Sequence, residues 1–228
     1  MLCGPSGIGK TTIADHISKN NQLDYVSGSI SDLIPDTKKV KHSDMLSRSS
    51  DVLLKEDYQL INLRNKAFKD LSDFVTDRSY VDSAAYFIYK QSTHLPTCEV
   101  DQFIGLCKML LNQQCDLLIF LSLLPEDVSN WVVENNNKRV LNTYYQVQMS
   151  TMMGDVLNYM GLETELVFDS LKPGFFNKAI DLNRQVTFGN ITTHNGVTKV
   201  LNIPDLNKDN RIKIIDHFIY KLSCRKKL

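Results

Sequence analysis

The chain has 228 residues, 43% of them hydrophobic, and a formal net charge of zero at pH 7. This composition is typical of a globular protein of one large domain, or of a domain with a small extension. It excludes a global basic field that would attract nucleic acid, although a local basic patch is compatible with it. The chain contains no apolar run of about eighteen residues, so we expect no membrane span, and we expect no signal peptide.

Cysteine and histidine are both scattered along the sequence. The five cysteines include no C-x-x-C pair, which predicts reduced thiols and a cytoplasmic protein rather than a disulfide framework. The five histidines are equally dispersed, so we expect no structural zinc site.

A glycine-rich loop joins the first two predicted elements, a short buried strand at 1–3 and a helix over 11–21. Residues 4–11 read GPSGIGKT and match the phosphate-binding pattern G-x-x-x-x-G-K-[ST]. Such a loop directs backbone N–H groups at phosphate oxygens, its lysine reaches the β- and γ-phosphates, and its hydroxyl can ligate Mg²⁺. A chance match in a turn is the alternative, but the strand–loop–helix context argues against it. We predict a nucleoside triphosphate site formed by Gly4, Ser6, Gly7, Ile8, Gly9, Lys10, Thr11 and Thr12.

Strand and helix patterns then alternate as far as residue 184. Apolar runs predict strands at 23–26, 74–76, 116–124 and 165–169, and helical spacing predicts helices over 56–71, 80–91, 100–113 and most of 126–160. A further helix follows Pro173-Gly174 and ends near Asn183. The run DLLIFLSLL at 116–124 is typical of a central strand that is buried on both faces. The alternation predicts a doubly wound α/β fold, whose ligands bind beyond the carboxyl ends of the strands.

Asp77 and Arg78 directly follow the predicted strand at 74–76, so they would emerge beside the phosphate site. A carboxylate there can hold Mg²⁺ or accept a proton from an attacking hydroxyl, and a guanidinium suits a phosphate. The alternative is that Asp77 or Ser79 only caps the next helix while Arg78 lies at the surface. Because the P-loop would lie on the same sheet, we favour a catalytic role for Asp77 and Arg78 over capping alone, with Thr11 and Asp77 as metal ligands.

Three segments carry a resemblance to a known family: the P-loop, DRS at 77–79 with YVDSAAY behind it, and LSLLPEDV at 121–128. Together they resemble the thymidylate-kinase and deoxynucleoside-kinase group of P-loop kinases, in particular its phage-type members. Over residues 1–184 the resemblance implies a five-stranded parallel sheet, ATP and Mg²⁺ as cofactors, and Asp77-Arg78 facing the phosphoryl acceptor. It also implies a lid within 134–146, in which Lys138 and Arg139 would close over the phosphates. A solvated helix face is the alternative for that basic pair.

The resemblance also bears on the acceptor and the reaction. It implies an ATP-dependent kinase with Lys10, Asp77, Arg78 and Arg139 as catalytic residues, acting on a deoxynucleoside or a deoxynucleoside monophosphate. Arg48 would cover the acceptor and Tyr86 could stack on its base, unless the first is a surface arginine and the second a core aromatic.

Two other functions stay open. One is a phage-type DNA kinase that phosphorylates hydroxymethylated pyrimidines, for which the basic segments at 38–41 and 224–228 could form a phosphate track. The other is a P-loop ATPase that acts on a protein partner. The strand at 116–124 does not end in an acidic pair, which disfavours the ATPase.

Residues 185–228 form a predicted extension of the kinase core at 1–184. Two β-rich runs flank Asn195-Gly196, a strong hairpin signal, and residues 209–222 form an amphipathic helix. Its predicted apolar face consists of Ile212, Ile215, Phe218, Ile219 and Leu222. Because an isolated hairpin would not stay folded in water, we expect both elements to dock on the core. The alternative is that the same apolar face makes an oligomer contact, such as a homodimer interface.

Overall fold

The computed structural model describes residues 1–34, 48–123, 143–166, 187–193, 196–203 and 208–225. In chain order its elements are β1 Leu2–Cys3, α1 Lys10–Asn21, β2 Asp24–Val26, α2 Ile30–Leu33, α3 Ser50–Lys69, β3 Phe74–Thr76, α4 Tyr80–Gln91, α5 Thr97–Gln114, β4 Leu117–Leu121, α6 Thr143–Tyr159, β5 Leu162–Leu166, β6 Thr187–Thr193, β7 Gly196–Ile203 and α7 Lys208–Arg225. Across these ranges, every helix is too short or too polar to cross a bilayer.

The main sheet has five strands in the order β1-β4-β7-β6-β5. β1, β4 and β7 are parallel neighbours, whereas β6 is antiparallel to both β7 and β5. β6 is therefore the one reversed strand, and the prediction of an entirely parallel sheet is wrong. The reversal follows from the short connection, because two residues between consecutive paired strands are too few for a parallel crossover. β2 and β3 form a separate parallel pair.

The predicted fifth strand lies at the edge of the sheet rather than beside β4. It begins three residues earlier than expected, at Leu162, and its predicted end at 167–169 falls outside the described residues. The hairpin β6–β7 separates it from β4. Both strands are compatible with their places in this order, because β7 buries Val200, Leu201 and Ile203, whereas β5 reads LETEL and its charges suit an edge.

β4 is buried on both faces, as its apolar run predicted. Leu118 and Phe120 belong to one core cluster, with side chains of α3, α4, α5 and α6. Ile119 and Leu121 belong to a second cluster, with side chains of α1 and α7. Helices therefore cover both faces of the sheet around β4, an internal strand between β1 and β7.

The C-terminal helix α7 packs on the same side as α1, but with a slightly different face from the predicted one. Ile214, Ile215 and Phe218 are buried, whereas Ile212 and Ile219 are half-buried. The side chain of Leu222 lies outside the described part of the chain. The division of the chain into a core at 1–184 and an extension at 185–228 stays a prediction, although β7 and α7 both contribute to the central core.

Candidate phosphate-binding site

The loop between β1 and α1 has positive φ angles at its three glycines, as a tightly curled glycine-rich loop requires. Gly4, Gly7 and Gly9 have φ angles of 142°, 86° and 94°, a range that other residues rarely adopt. A Cβ atom on Gly4 would lie 2.5 Å from the carbonyl oxygen of Leu121, at the end of β4. Glycine at this position is therefore required for the close approach of the loop to β4.

Lys10 lies across this loop at the first position of α1. Its ammonium donates hydrogen bonds to the carbonyls of Gly4, at 2.6 Å, and Pro5, at 2.7 Å, and the side chain is almost completely buried. Burial, followed by the charge of Arg78, lowers the pKa of Lys10 to about 7. The Lys10 ammonium is thus held against the backbone of the glycine-rich loop.

Thr11 and Asp77 join the first turn of α1 to the end of β3. The Thr11 hydroxyl donates to one carboxylate oxygen of Asp77 at 2.6 Å, and the N–H of Gly28 approaches the other oxygen at 3.4 Å. A hydroxyl and a carboxylate in contact are oxygen ligands of the kind that Mg²⁺ prefers, so these residues fit a magnesium site completed by phosphate and water. The described residues contain no cluster of three or more histidine, cysteine, aspartate or glutamate side chains that could hold a metal by itself.

Ser79, rather than Asp77, caps α4. The Ser79 hydroxyl accepts hydrogen bonds from the N–H groups of Val81 and Asp82, and the Asp82 carboxylate accepts one from the N–H of Ser79. This reciprocal pair is a capping box. The helix start is therefore satisfied without Asp77, whose carboxylate contacts Thr11 instead.

Arg78 lies beside Asp77 and is oriented by Asp82. Its guanidinium is 3.2 Å from an Asp82 carboxylate oxygen, and the Asp82 side chain is only 1% exposed. Burial acts to lower the pKa of Arg78, but the neighbouring Asp82, Tyr86 and Asp77 raise it above its usual value. Tyr86 is half-buried; burial, followed by the charge of Tyr86, raises the pKa of Tyr145 on α6. The predicted residues Arg78 and Tyr86 thus share one region at the end of β3.

Arg64 on α3 is a part of this region that sequence reasoning missed. It donates to the carbonyl of Gly28 at 2.8 and 3.0 Å, to the carbonyl of Ser79 at 3.0 Å, and to the hydroxyl of Ser83. These bonds tie the loop after β2 to the turn after β3. The available signal was an arginine at helical spacing among the apolar residues Ile61 and Phe68.

Gly28 and Tyr25 are two further neighbours of Asp77 that the sequence did not mark. A Cβ atom on Gly28 would lie 2.7 Å from the Cβ atom of Arg78, so only glycine allows the two loops to meet this closely. Burial, followed by the charge of Asp77, raises the pKa of Tyr25 to about 12. The loop and strand end around residues 25–28 therefore form one wall of the site.

The predicted roles of Arg48 and Arg139 stay predictions. Arg48 pairs with Glu56 in the first part of α3, and Glu56 precedes Arg64 by about 12 Å along the helix axis. Arg139, with its neighbour Lys138 in the predicted lid, lies outside the described residues.

No protein-family model matches the chain, and no curated protein matches its sequence. Among solved structures, the chain is similar to the YorR protein from Bacillus subtilis, whose crystal structure is a complex with phosphorylated GDP. The two chains are 16% identical over 71% of this chain and 80% of YorR, with a TM-score of 0.45. A similarity this distant carries no functional argument, so the site has to be interpreted from its own geometry.

Proposed function

We propose that this protein is an ATP-dependent kinase that transfers the γ-phosphoryl group to a deoxynucleoside or a deoxynucleoside monophosphate. The observation that carries the proposal is the 2.6 Å contact between the Thr11 hydroxyl and the Asp77 carboxylate. It unites a P-loop and a strand-end Asp-Arg pair that are far apart in the sequence. Phosphate-binding groups and groups suited to a phosphoryl acceptor therefore meet at one place.

The phosphates are held by the loop and by the start of α1. The backbone N–H groups of the loop and the N-terminus of α1 attract phosphate oxygens, and Lys10 adds a charge that follows the transferring group. Thr11 and Asp77 would hold Mg²⁺, which neutralises phosphate charge when it is bound. Because phosphoryl transfer needs little covalent help, positioned charges of this kind account for most of its catalysis.

The acceptor is proposed to bind on the side of Arg78 and Tyr86. Asp82 holds the Arg78 guanidinium beside Asp77. The planar donors of this guanidinium suit the negative charge of the phosphoryl group during its transfer. The partly exposed Tyr86 ring offers a flat surface for a base. Fixing both partners before reaction is the contribution of these residues to the rate.

An acceptor screen tests the reaction class. The protein is incubated with Mg²⁺ and ATP labelled in the γ-phosphate, and with nucleosides, nucleoside monophosphates, plain DNA or hydroxymethylated DNA. We expect label on a deoxynucleoside or its monophosphate. Label on modified DNA, lost as salt increases, would instead identify a DNA kinase. Release of labelled phosphate without any labelled acceptor would identify an ATPase.

Three variants then test the residues of the site. Lys10→Ala should abolish transfer, and Asp77→Asn should reduce turnover about 100-fold or more, because each removes charge that stabilises the transition state. Arg78→Lys should also be impaired, since a point charge does not replace a planar fork. Asp73→Asn is the matched control, because Asp73 is exposed just before β3. Normal turnover in both Asp77→Asn and Arg78→Lys would reject the proposed acceptor side.

A further inference from the structure

Arg211 connects the C-terminal helix to the phosphate-binding loop. It lies near the start of α7, is 5% exposed, and its Nη1 donates to the carbonyl of Ile8 at 2.8 Å. Ile8 is within the P-loop, so a residue more than two hundred positions away in the sequence binds the backbone that surrounds the phosphates. Nothing in the amphipathic pattern of α7 requires an arginine at this buried position.

The hydrogen bond that the Ile8 carbonyl accepts from Arg211 orients a whole peptide group, not only the carbonyl. The carbonyl of Ile8 and the N–H of Gly9 belong to the same peptide group, and in a trans peptide they point in opposite directions. Holding the Ile8 oxygen towards α7 therefore directs the Gly9 N–H away from α7. The guanidinium also polarises this peptide group, which strengthens its N–H as a donor.

The peptide between Ile8 and Gly9 needs such a restraint. Gly9 has a φ of 94°, and a Cβ atom on it would meet nothing within 4 Å. Glycine adopts both signs of φ with nearly equal ease, and residue 9 has no Cβ whose contacts would restrict the rotation of this peptide. The hydrogen bond from Arg211 provides a restraint that a side chain at residue 9 cannot.

α7 is itself held in place against α1. Ile214, Ile215 and Phe218 are buried in the core cluster that contains Ile8 and Ile13. Five residues after Arg211, Asp216 lies 3.1 Å from His16 of α1. The backbone of α7 that carries Arg211 is therefore fixed relative to α1, the helix that follows the P-loop.

We propose that Arg211 is a positioning residue for nucleotide binding, which sets the Ile8–Gly9 peptide so that its N–H faces the phosphates. The proposal rests on the proposed nucleotide site. It makes the C-terminal helix a structural part of that site, because the helix supplies the group that orients the loop.

Calorimetric titration with ATP and Mg²⁺ tests this role. Arg211→Met should weaken ATP binding about tenfold or more, since the lost bond is charge-assisted and leaves the Ile8 carbonyl buried without a charged donor. Arg211→Lys should restore part of the affinity, because its ammonium can still donate to one carbonyl. Lys213→Met is the matched control: it removes one positive charge from the exposed face of the same helix and should bind ATP normally.

If Arg211 only stabilised the fold, its replacement would lower the melting temperature rather than the affinity for ATP. We expect the KM for ATP to rise with little change in kcat, while the melting temperature without nucleotide changes far less than the affinity. If Arg211→Met does not fold, Arg211→Lys carries the test, with an expected dissociation constant several-fold above that of the wild type. ATP binding by the wild type that is lost in Lys10→Ala establishes the site. Wild-type affinity in the folded Arg211 variants would then overturn the role of Arg211 alone.

Discussion

Lys10 is an ammonium group almost completely removed from water, and its hydrogen bonds go to two carbonyls of its own loop. Removal from water penalises the charged form, and the nearby Arg78 adds to the penalty, so its pKa falls to about 7. Near neutral pH, we therefore expect a substantial fraction of the protein to carry a neutral Lys10. A bound triphosphate brings negative charge to the same place and should restore the proton.

Nucleotide binding is accordingly expected to take up a proton. At a pH well below 7, Lys10 is already charged and contributes no uptake. As the pH rises above 7, binding has to recharge the lysine, so ATP affinity should fall by up to about tenfold per pH unit. Calorimetry of ATP binding at pH 8, in buffers with different enthalpies of ionisation, measures the proton uptake directly.

Titration of the lysine side-chain resonances by NMR provides the independent check on Lys10. A Lys10 ammonium that stays protonated beyond pH 9, together with no proton uptake on binding, would contradict the lowered pKa. In the Lys10→Arg variant the cation does not titrate in this range, so any remaining pH dependence must come from other groups.

At the scale of elements, one asparagine ties α5 to the C-terminal hairpin. The buried side chain of Asn112 donates to the carbonyls of Ile191 and Gly196 and to the hydroxyl of Thr193, at 3.0 to 3.2 Å. It also accepts a hydrogen bond from Thr198 at 2.9 Å. Because β7 begins at Gly196 and runs parallel to β4, this junction lies at the opposite end of the sheet from the P-loop.

Asn112→Ala should therefore lower stability without altering the site. We expect a loss of about 2 to 3 kcal/mol in the free energy of unfolding, since several buried polar groups lose their partner at once. ATP affinity of the folded protein should be unchanged. Urea denaturation measures the first quantity and calorimetry the second, with Gln113→Ala as the exposed control on the same helix. Equal stability of the two variants would show that the junction is not a significant support of the hairpin.

At the scale of the whole molecule, the C-terminal strand β7 is internal to the sheet. It lies between β4 and β6, and Val200, Leu201 and Ile203 are buried there. The helix α7 that follows covers part of the same core. Removing these elements would expose the apolar edge of β4 and the buried face of α1 to water.

Truncation after residue 184 is therefore expected to give a chain that aggregates or unfolds, because β4 would lose its neighbour and part of its hydrophobic cover. Size-exclusion chromatography and thermal denaturation of the purified fragment measure the outcome. Truncation after residue 225 is the control, since it removes only the last three residues. A monomeric, stable fragment 1–184 that binds ATP would support the predicted division into a self-sufficient core and an extension.

The sequence by itself determined the features that depend on neighbouring residues. The P-loop was visible because its glycines, Lys10 and Thr11 act together within eight consecutive positions. The internal strand β4 was visible because burial on both faces requires a continuous apolar run. The limits of α4 at Tyr80–Gln91 matched the prediction, and Ser79 and Asp82 form its cap locally.

Only the tertiary structure decided which distant segments meet. The order of the sheet depends on pairings such as β4 with β7, and the strand patterns of β5 and β7 alone do not state which of them lies beside β4. The contacts of Asp77 with Thr11, of Arg64 with Gly28 and of Arg211 with Ile8 span 66, 36 and 203 positions. A periodic pattern shows which face of an element is apolar, but not which element covers that face. A buried polar side chain finds its partner only when packing has brought the two backbones together.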